Sequence, residues 1–228
     1  MTDYVLVHGC PGDGAAWDPL GAHLSIQALD LPDHGSDAAS ATVEEHVAHV
    51  VAALERATDP VVLVGHSYGT WVAAHAAARV PHRVARLVLL AGLADVTGDT
   101  AAALVGFAQA LESGTLDAEG AAQIAAQRWL GPTPPAAQVE RIRALFVREG
   151  VVRLARQLRR AVTATARAPR SGVPTRLVAI ADDVAVPRAL SEDLATHLGV
   201  PLEVWPGASH FPHWDDAASV ARALAASS

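Results

Sequence analysis

Apolar residues along this chain follow two alternating patterns. Short β-rich runs lie at Tyr4 to His8, Ser25 to Leu29, Val61 to Val64, Val84 to Ala91, Thr175 to Ala181 and Leu202 to Trp205, and Val61 to Val64 is apolar throughout. A continuous apolar run such as Val61 to Val64 is what a strand buried on both faces requires. Between them, apolar residues recur at helical spacing from Trp17 to Leu24, Val43 to Ala57, Tyr68 to Val80, Arg188 to Leu198 and Ala217 to Ala226. Thr42 is placed to cap the second of these, with Glu45 three residues on as its capping-box partner. Strands that alternate with helices predict an α/β fold with a doubly wound, mainly parallel sheet.

One stretch departs from the rhythm. Residues 95–172 carry helical patterning and no strand, and Gly131-Pro132-Thr133-Pro134-Pro135 divides them in two. The expectation is a single domain over 1–228 with a helical insertion at about 95–172, set over the carboxyl ends of the strands as a cap.

Composition narrows the classes. With 228 residues, 51% of them hydrophobic, the chain can bury a full core and is not a disordered segment. A net charge of −7 argues against general nucleic-acid binding. Every basic residue is Arg. Cys10 is the sole cysteine, so an internal disulfide is excluded. No basic start precedes the first apolar run, and no run reaches the ~20 residues of a membrane span. A cytoplasmic protein is expected, without a membrane partner. Nothing in the pattern sets an oligomeric state.

The chemistry concentrates where the central apolar run ends. Val61-Val62-Leu63-Val64 leads into Gly65-His66-Ser67-Tyr68-Gly69, and a helix follows at once. A nucleophilic serine needs this order, because it must stand on a sharp turn at the end of a central strand. Glycines on either side remove the clash that such a turn creates. The N–H groups of the following helix point to the same place and stabilise developing negative charge. Tyr68 N–H is the first expected oxyanion donor. The second must come from His8-Gly9-Cys10-Pro11-Gly12, and since Pro11 has no N–H, Cys10 supplies it through its backbone.

The base is expected after the last strand, in Pro206-Gly207-Ala208-Ser209-His210-Phe211-Pro212-His213. His210 lies nearer the strand end and is preferred to His213. The acid that orients it follows Thr175 to Ala181, where Asp183 is preferred to Asp182, with Asp95 as an outside candidate. His23, His46, His49, His75, His82 and His197 lie in or beside helices and are expected on the surface.

With these residues in place, the chain resembles the α/β-hydrolase superfamily over nearly its whole length. His8-Gly9 looks like the oxyanion loop of that superfamily, and Gly65-His66-Ser67-Tyr68-Gly69 like its nucleophile elbow. Leu29-Asp30-Leu31-Pro32-Asp33-His34-Gly35-Ser36 looks like its Asp-Leu-Pro-Gly-His-Gly loop, with Asp33 where glycine is usual. Val184-Ala185-Val186-Pro187 and His210-Phe211-Pro212 are similar to its acid and histidine loops. The nearest branch resembles small esterases of the methylesterase and hydroxynitrile-lyase type and their bacterial relatives. The resemblance implies an enzyme, a serine hydrolase of small or medium esters, thioesters or lactones. Two rival readings keep the fold: the same triad used by a lyase, cofactor-free oxygenase or cyclase, and a ligand-binding receptor. No metal or organic cofactor is implied.

Pocket candidates are Trp17 and Tyr68, flanking the oxyanion loop and the serine, and Phe107, Trp129 and Phe146 from the insertion. Nine of the seventeen arginines fall between Arg141 and Arg170, with Arg153, Arg156 and Arg160 on one helical face. That face reads either as solvated surface or as a site for an acidic or carrier-bound small-molecule substrate.

Overall fold

The computed structural model describes residues 3–35 and 41–226, so Ser36 of the loop quoted above lies outside the described residues. In chain order the elements are β1 (Tyr4–Val7), β2 (Ile26–Leu29), α1 (Val43–Arg56), β3 (Val61–His66), α2 (Tyr68–Arg79), β4 (Val84–Leu90), α3 (Gly98–Glu112), α4 (Ala118–Trp129), α5 (Ala136–Ala161), β5 (Thr175–Ile180), α6 (Arg188–Leu198), β6 (Leu202–Trp205), α7 (Pro212–Asp215) and α8 (Ala217–Ala225). The strands form one sheet in the order β2-β1-β3-β4-β5-β6, and each neighbouring pair is parallel. Gly65 pairs with Val7 on one side and with Leu89 on the other. The carboxyl ends of the three central strands are therefore level, and the loops that leave them meet.

Alternation along the strands covers the sheet on both faces. Val5, Val7, Val61 and Leu63 pack with α1, α2 and α6, while Tyr4, Leu6, Val62 and Val64 pack with Leu20 and α8. Each such buried aliphatic side chain contributes about 1.5–3 kcal/mol relative to exposure. Thr42 and Glu45 close a reciprocal capping box on α1. The region from Trp17 to Leu24 is not an α-helix: Gly14–Ala22 is a 3₁₀ segment, started by the Asp13 side chain accepting the Ala15 N–H and carrying Pro19 inside it.

Helices α3, α4 and α5 stand between β4 and β5 and share a core of their own, with Ala108, Leu111, Ala125, Ile142 and Phe146. Gly150 (φ 71°, ψ 157°) breaks α5. Beyond the break, the arginine face grips the loop after β2. Arg156 and Arg160 bind the two oxygens of Asp33, Gln157 donates to the Asp33 carbonyl at 2.6 Å, and Arg153 donates to the Gly35 carbonyl at 2.8 Å. The face is neither simply solvated nor open to a ligand: Arg156 and Arg160 are paired with the buried Asp33, and Arg153 with Gly35 and Glu149. Among the described residues no helix is long and apolar enough to cross a membrane.

Candidate active site

Ser67 sits between the end of β3 and the start of α2 with φ 53° and ψ −126°. This is a left-handed conformation that costs a non-glycine residue about 1–3 kcal/mol, and it is held by its surroundings. The Ser67 N–H donates to Leu90 O at 2.9 Å, and the Ser67 carbonyl accepts from Thr70 N–H at 2.9 Å and Thr70 Oγ1 at 2.6 Å. The hydroxyl makes no cap bond to α2, so the turn consumes the backbone of Ser67 and leaves its oxygen free. A Cβ on Gly65 would lie 2.4 Å from Gly69 O, and one on Gly69 would lie 2.4 Å from His8 O. Both glycines are demanded by contact, one across the elbow and one against the end of β1.

The loop after β1 lies alongside. A Cβ on Gly9 would stand 3.1 Å from Ser67 Cβ. His8 fixes this loop: its Nδ1–H donates to Gly9 O at 2.7 Å and its Nε2 accepts the Leu31 N–H at 3.1 Å. Cys10 and Tyr68 both border the cavity in front of Ser67. Burial pushes the Cys10 thiol up to about 12, so it stays protonated and offers no thiolate. Tyr68 is the first residue of α2, where an N–H has no partner within the helix.

His210 Nδ1 lies 2.6 Å from Asp183 Oδ2, with both residues buried. The other carboxylate oxygen of Asp183 accepts the Ala185 N–H at 2.8 Å and the Val186 N–H at 3.1 Å. Burial raises the affinity of Asp183 for a proton, but the charge and hydrogen bond of His210, aided by those two N–H groups, outweigh it and hold the carboxyl below its ordinary value. A carboxylate can only accept, so Nδ1 of His210 carries the proton and Nε2 is left as an acceptor. Asp182 is exposed, and Asp95 faces Thr97 and Arg167 instead. His213 is buried and stacked on Trp17, away from Asp183, and burial lowers it to about 3. Ser67 and His210 share the cavity without a direct hydrogen bond, a separation that commonly closes only when substrate is bound.

The cavity is about 630 Å³, with Ser67, Tyr68, His210, Leu104, Phe107 and Trp129 among its walls. Two expected wall residues are elsewhere. Trp17 is fully buried on the opposite face of the sheet, because the 3₁₀ segment turns it away from the loop that precedes it. Phe146 is fully buried inside the core of α3–α5. Asp99 and Arg128 are the Asp and Arg side chains in the wall. Among the described residues no group of three or more His, Cys, Asp or Glu is arranged to hold a metal ion.

Two histidines matter here that the sequence reading did not assign. His46 is buried, not on the surface. Its Nε2–H donates to Pro32 O at 2.9 Å and its Nδ1 accepts the Tyr68 hydroxyl at 2.9 Å, which fixes that ring in the cavity wall. Burial lowers His46 to about 4. A signal existed: position 46 falls at helical spacing between Val43 and Val50. His66 is also buried, and its Nε2–H donates to the main-chain carbonyl of His210 at 2.8 Å. On the other side of the same residue, the His210 N–H donates to Trp129 O, the last residue of α4, at 2.6 Å.

This geometry can be set beside known proteins. A sequence model of the alpha/beta hydrolase family matches residues 4–223. Lipase LipV of Mycobacterium tuberculosis is 36% identical over 140 residues, which cover 59% of this chain and 54% of that one. Pimeloyl-[acyl-carrier protein] methyl ester esterase of Aliivibrio salmonicida is 36% identical over 96 residues, 40% of this chain and 36% of that one. The chain thus spans about half the length of the first relative and about a third of the second. Among solved structures, MGS-M2, an alpha/beta hydrolase enzyme from a Medee basin deep-sea metagenome library, superposes with TM-score 0.85 at 20% identity, covering 98% of this chain and 87% of that one. At that identity the likeness speaks for the fold alone.

Proposed function

The chain belongs to the alpha/beta hydrolase family, and from that premise we propose that it is a serine hydrolase which opens a small or medium carboxylic ester, thioester or lactone through an acyl-enzyme on Ser67. The observation that carries this reading is the 2.6 Å pair of Asp183 and His210 facing the same cavity as the strained serine turn. Ser67 Oγ attacks the carbonyl carbon and passes its proton to His210 Nε2. Asp183 keeps the proton on Nδ1 and stabilises the imidazolium that forms. The oxyanion is held by the backbone N–H groups of Cys10 and Tyr68, the latter at the positive end of α2. His210 then protonates the leaving alkoxide or thiolate. Water, activated by the same imidazole, attacks the acyl-enzyme and frees Ser67.

Helices α3–α5 serve as the cap of this site and provide the apolar wall formed by Leu104, Phe107 and Trp129. A cavity of about 630 Å³ lies within the ~300–1,000 Å³ typical of small-molecule sites. Arg128 in that wall suits a substrate with an anionic end, either a free acid or a carrier-linked phosphate. Relatives named pimeloyl-[acyl-carrier protein] methyl ester esterase support action on a carrier-bound substrate.

Intact mass after a fluorophosphonate probe, with peptide mapping and a Ser67→Ala control, tests the reading. A single adduct on Ser67, missing from the control, is the expected result. Well-folded protein that takes no adduct and turns over no activated ester overturns it.

A further inference from the structure

We propose that His66 is a positioning residue for the base: its Nε2–H holds the main-chain carbonyl of His210 and thereby sets where the imidazole stands over Ser67. The proposal rests on the serine-hydrolase reading above. His66 is the last residue of β3, so it and Ser67 are joined by one peptide bond. Its imidazole meets the His210 carbonyl at 2.8 Å, and the two rings lie 4.4 Å apart at 48°. Any shift of the elbow therefore carries the backbone of the base with it. The path from nucleophile to the backbone of the base thus runs through one peptide bond and one buried hydrogen bond, with the His210 N–H to Trp129 O bond as the second restraint on that backbone.

The chemistry of the contact is fixed through the reaction. A carbonyl can only accept, so Nε2 of His66 carries hydrogen. Burial, and then the charges that His210 and His213 can bear, hold His66 well below the ordinary histidine value, with His8 adding to this. The rings of Trp17, Phe211 and His213 close the remaining sides. Asp183 acts on the far edge of His210 and makes no hydrogen bond to His66. When His210 takes the Ser67 proton, its new charge opposes protonation of His66 still further. The donor stays neutral and keeps its tautomer while the base changes state.

A histidine that merely satisfied a buried carbonyl would affect stability and leave the pH–rate profile alone, which makes the two roles separable. The test compares His66→Gln, whose amide nitrogen reaches about as far as Nε2, with His66→Asn, whose amide falls short. Each is assayed with p-nitrophenyl butyrate across pH 5–9, alongside the rate of fluorophosphonate labelling at Ser67 and the melting temperature. We expect Asn to lower kcat by about 10–100-fold with KM little changed, as loss of alignment does, and to displace the pH–rate midpoint. Gln should recover most of both. Equal behaviour of Asn and Gln, or an Asn variant with lowered melting temperature but wild-type kcat and pH profile, overturns the proposal. Imidazole ¹⁵N spectra of the wild type need no variant: the Nε2–H tautomer at His66 is expected, and the Nδ1–H tautomer overturns the assignment. If wild-type Ser67 takes no label and turns over no ester, the hydrolase reading falls and this proposal with it. Normal wild-type labelling together with an unaffected Asn variant removes the positioning role alone.

Discussion

Asp33 and Arg160 form an ion pair of 2.5 Å between the loop after β2 and the last turns of α5, with the carboxylate fully buried and the guanidinium 9% exposed. Arg156 shares the same carboxylate, its Nε at 2.7 Å. Burial alone would raise the Asp33 carboxyl, but the two arginines overcome it and hold it below the ordinary range. The pair ties the helical segment to the loop at the end of β2.

Replacing Asp33 therefore does more than remove a surface charge. Asp33→Ala leaves two guanidiniums, one of them well buried, without their shared acceptor, and should cost about 3 kcal/mol of unfolding free energy in urea titrations. A change below about 0.5 kcal/mol, typical of an exposed pair, would show that the tie contributes little.

The histidines set the acid limit. Burial, the leading cause in each case, lowers His8, His34, His46, His66 and His213, with His46 at about 4 and His213 at about 3. Unfolded, these groups take up protons near pH 6.5, whereas folded they do not, so the unfolded chain binds more protons and stability must fall as pH drops. The contribution is fully present above pH 6.5 and is lost progressively down to about pH 4 for His46 and about 3 for His213. Each histidine adds up to about 1.4 kcal/mol per pH unit within its window. Urea unfolding at pH 8, 7, 6 and 5 should show a loss already under way at pH 6. Identical midpoints at pH 7 and pH 5 would contradict it.

Asp183 and Asp182 are neighbours in sequence with different surroundings. Asp183→Asn should keep the fold but offer an amide to Nδ1, favouring the wrong tautomer and lowering kcat by about 10⁴-fold. Asp182→Asn, at an exposed carboxylate, should leave activity near wild type. Comparable losses in both would mean that the 2.6 Å contact is not what orients the base.

Arg128→Glu should raise KM for an ester with a terminal carboxylate by about 5–10-fold, the scale of a partly solvated charge contact reversed in sign. The matching neutral ester should be unaffected. An equal change for both would place Arg128 outside the path of the substrate.

Much of this arrangement was legible in the chain. The serine turn announced itself because a strand buried on both faces, two glycines and a helix start cannot be rearranged without clash at Gly65 or Gly69. The layered α/β order followed from hydrophobic period. What could not be read was the partner of a polar face. Arg156 and Arg160 look the same in sequence whether they meet water, a ligand or Asp33. Trp17 was misplaced for a related reason: nearness in sequence to the loop after β1 does not fix which side of the sheet a side chain reaches, and Trp17, in the Asp13-capped 3₁₀ segment, packs on the far one. Phe146 carried the same ambiguity between wall and core, settled only by how α3, α4 and α5 pack.

The hydrogen bond from His210 N–H to the Trp129 carbonyl makes the molecule an interlock. Any displacement of α4 away from the sheet withdraws that carbonyl and frees one of the two restraints on the histidine backbone. Under the serine-hydrolase reading, where the imidazole stands then depends on the seat of α4 as well as on His66. A foreign helical segment grafted in place of α3–α5 must therefore bring a main-chain oxygen to the position of that at Trp129 if His210 is to keep both restraints.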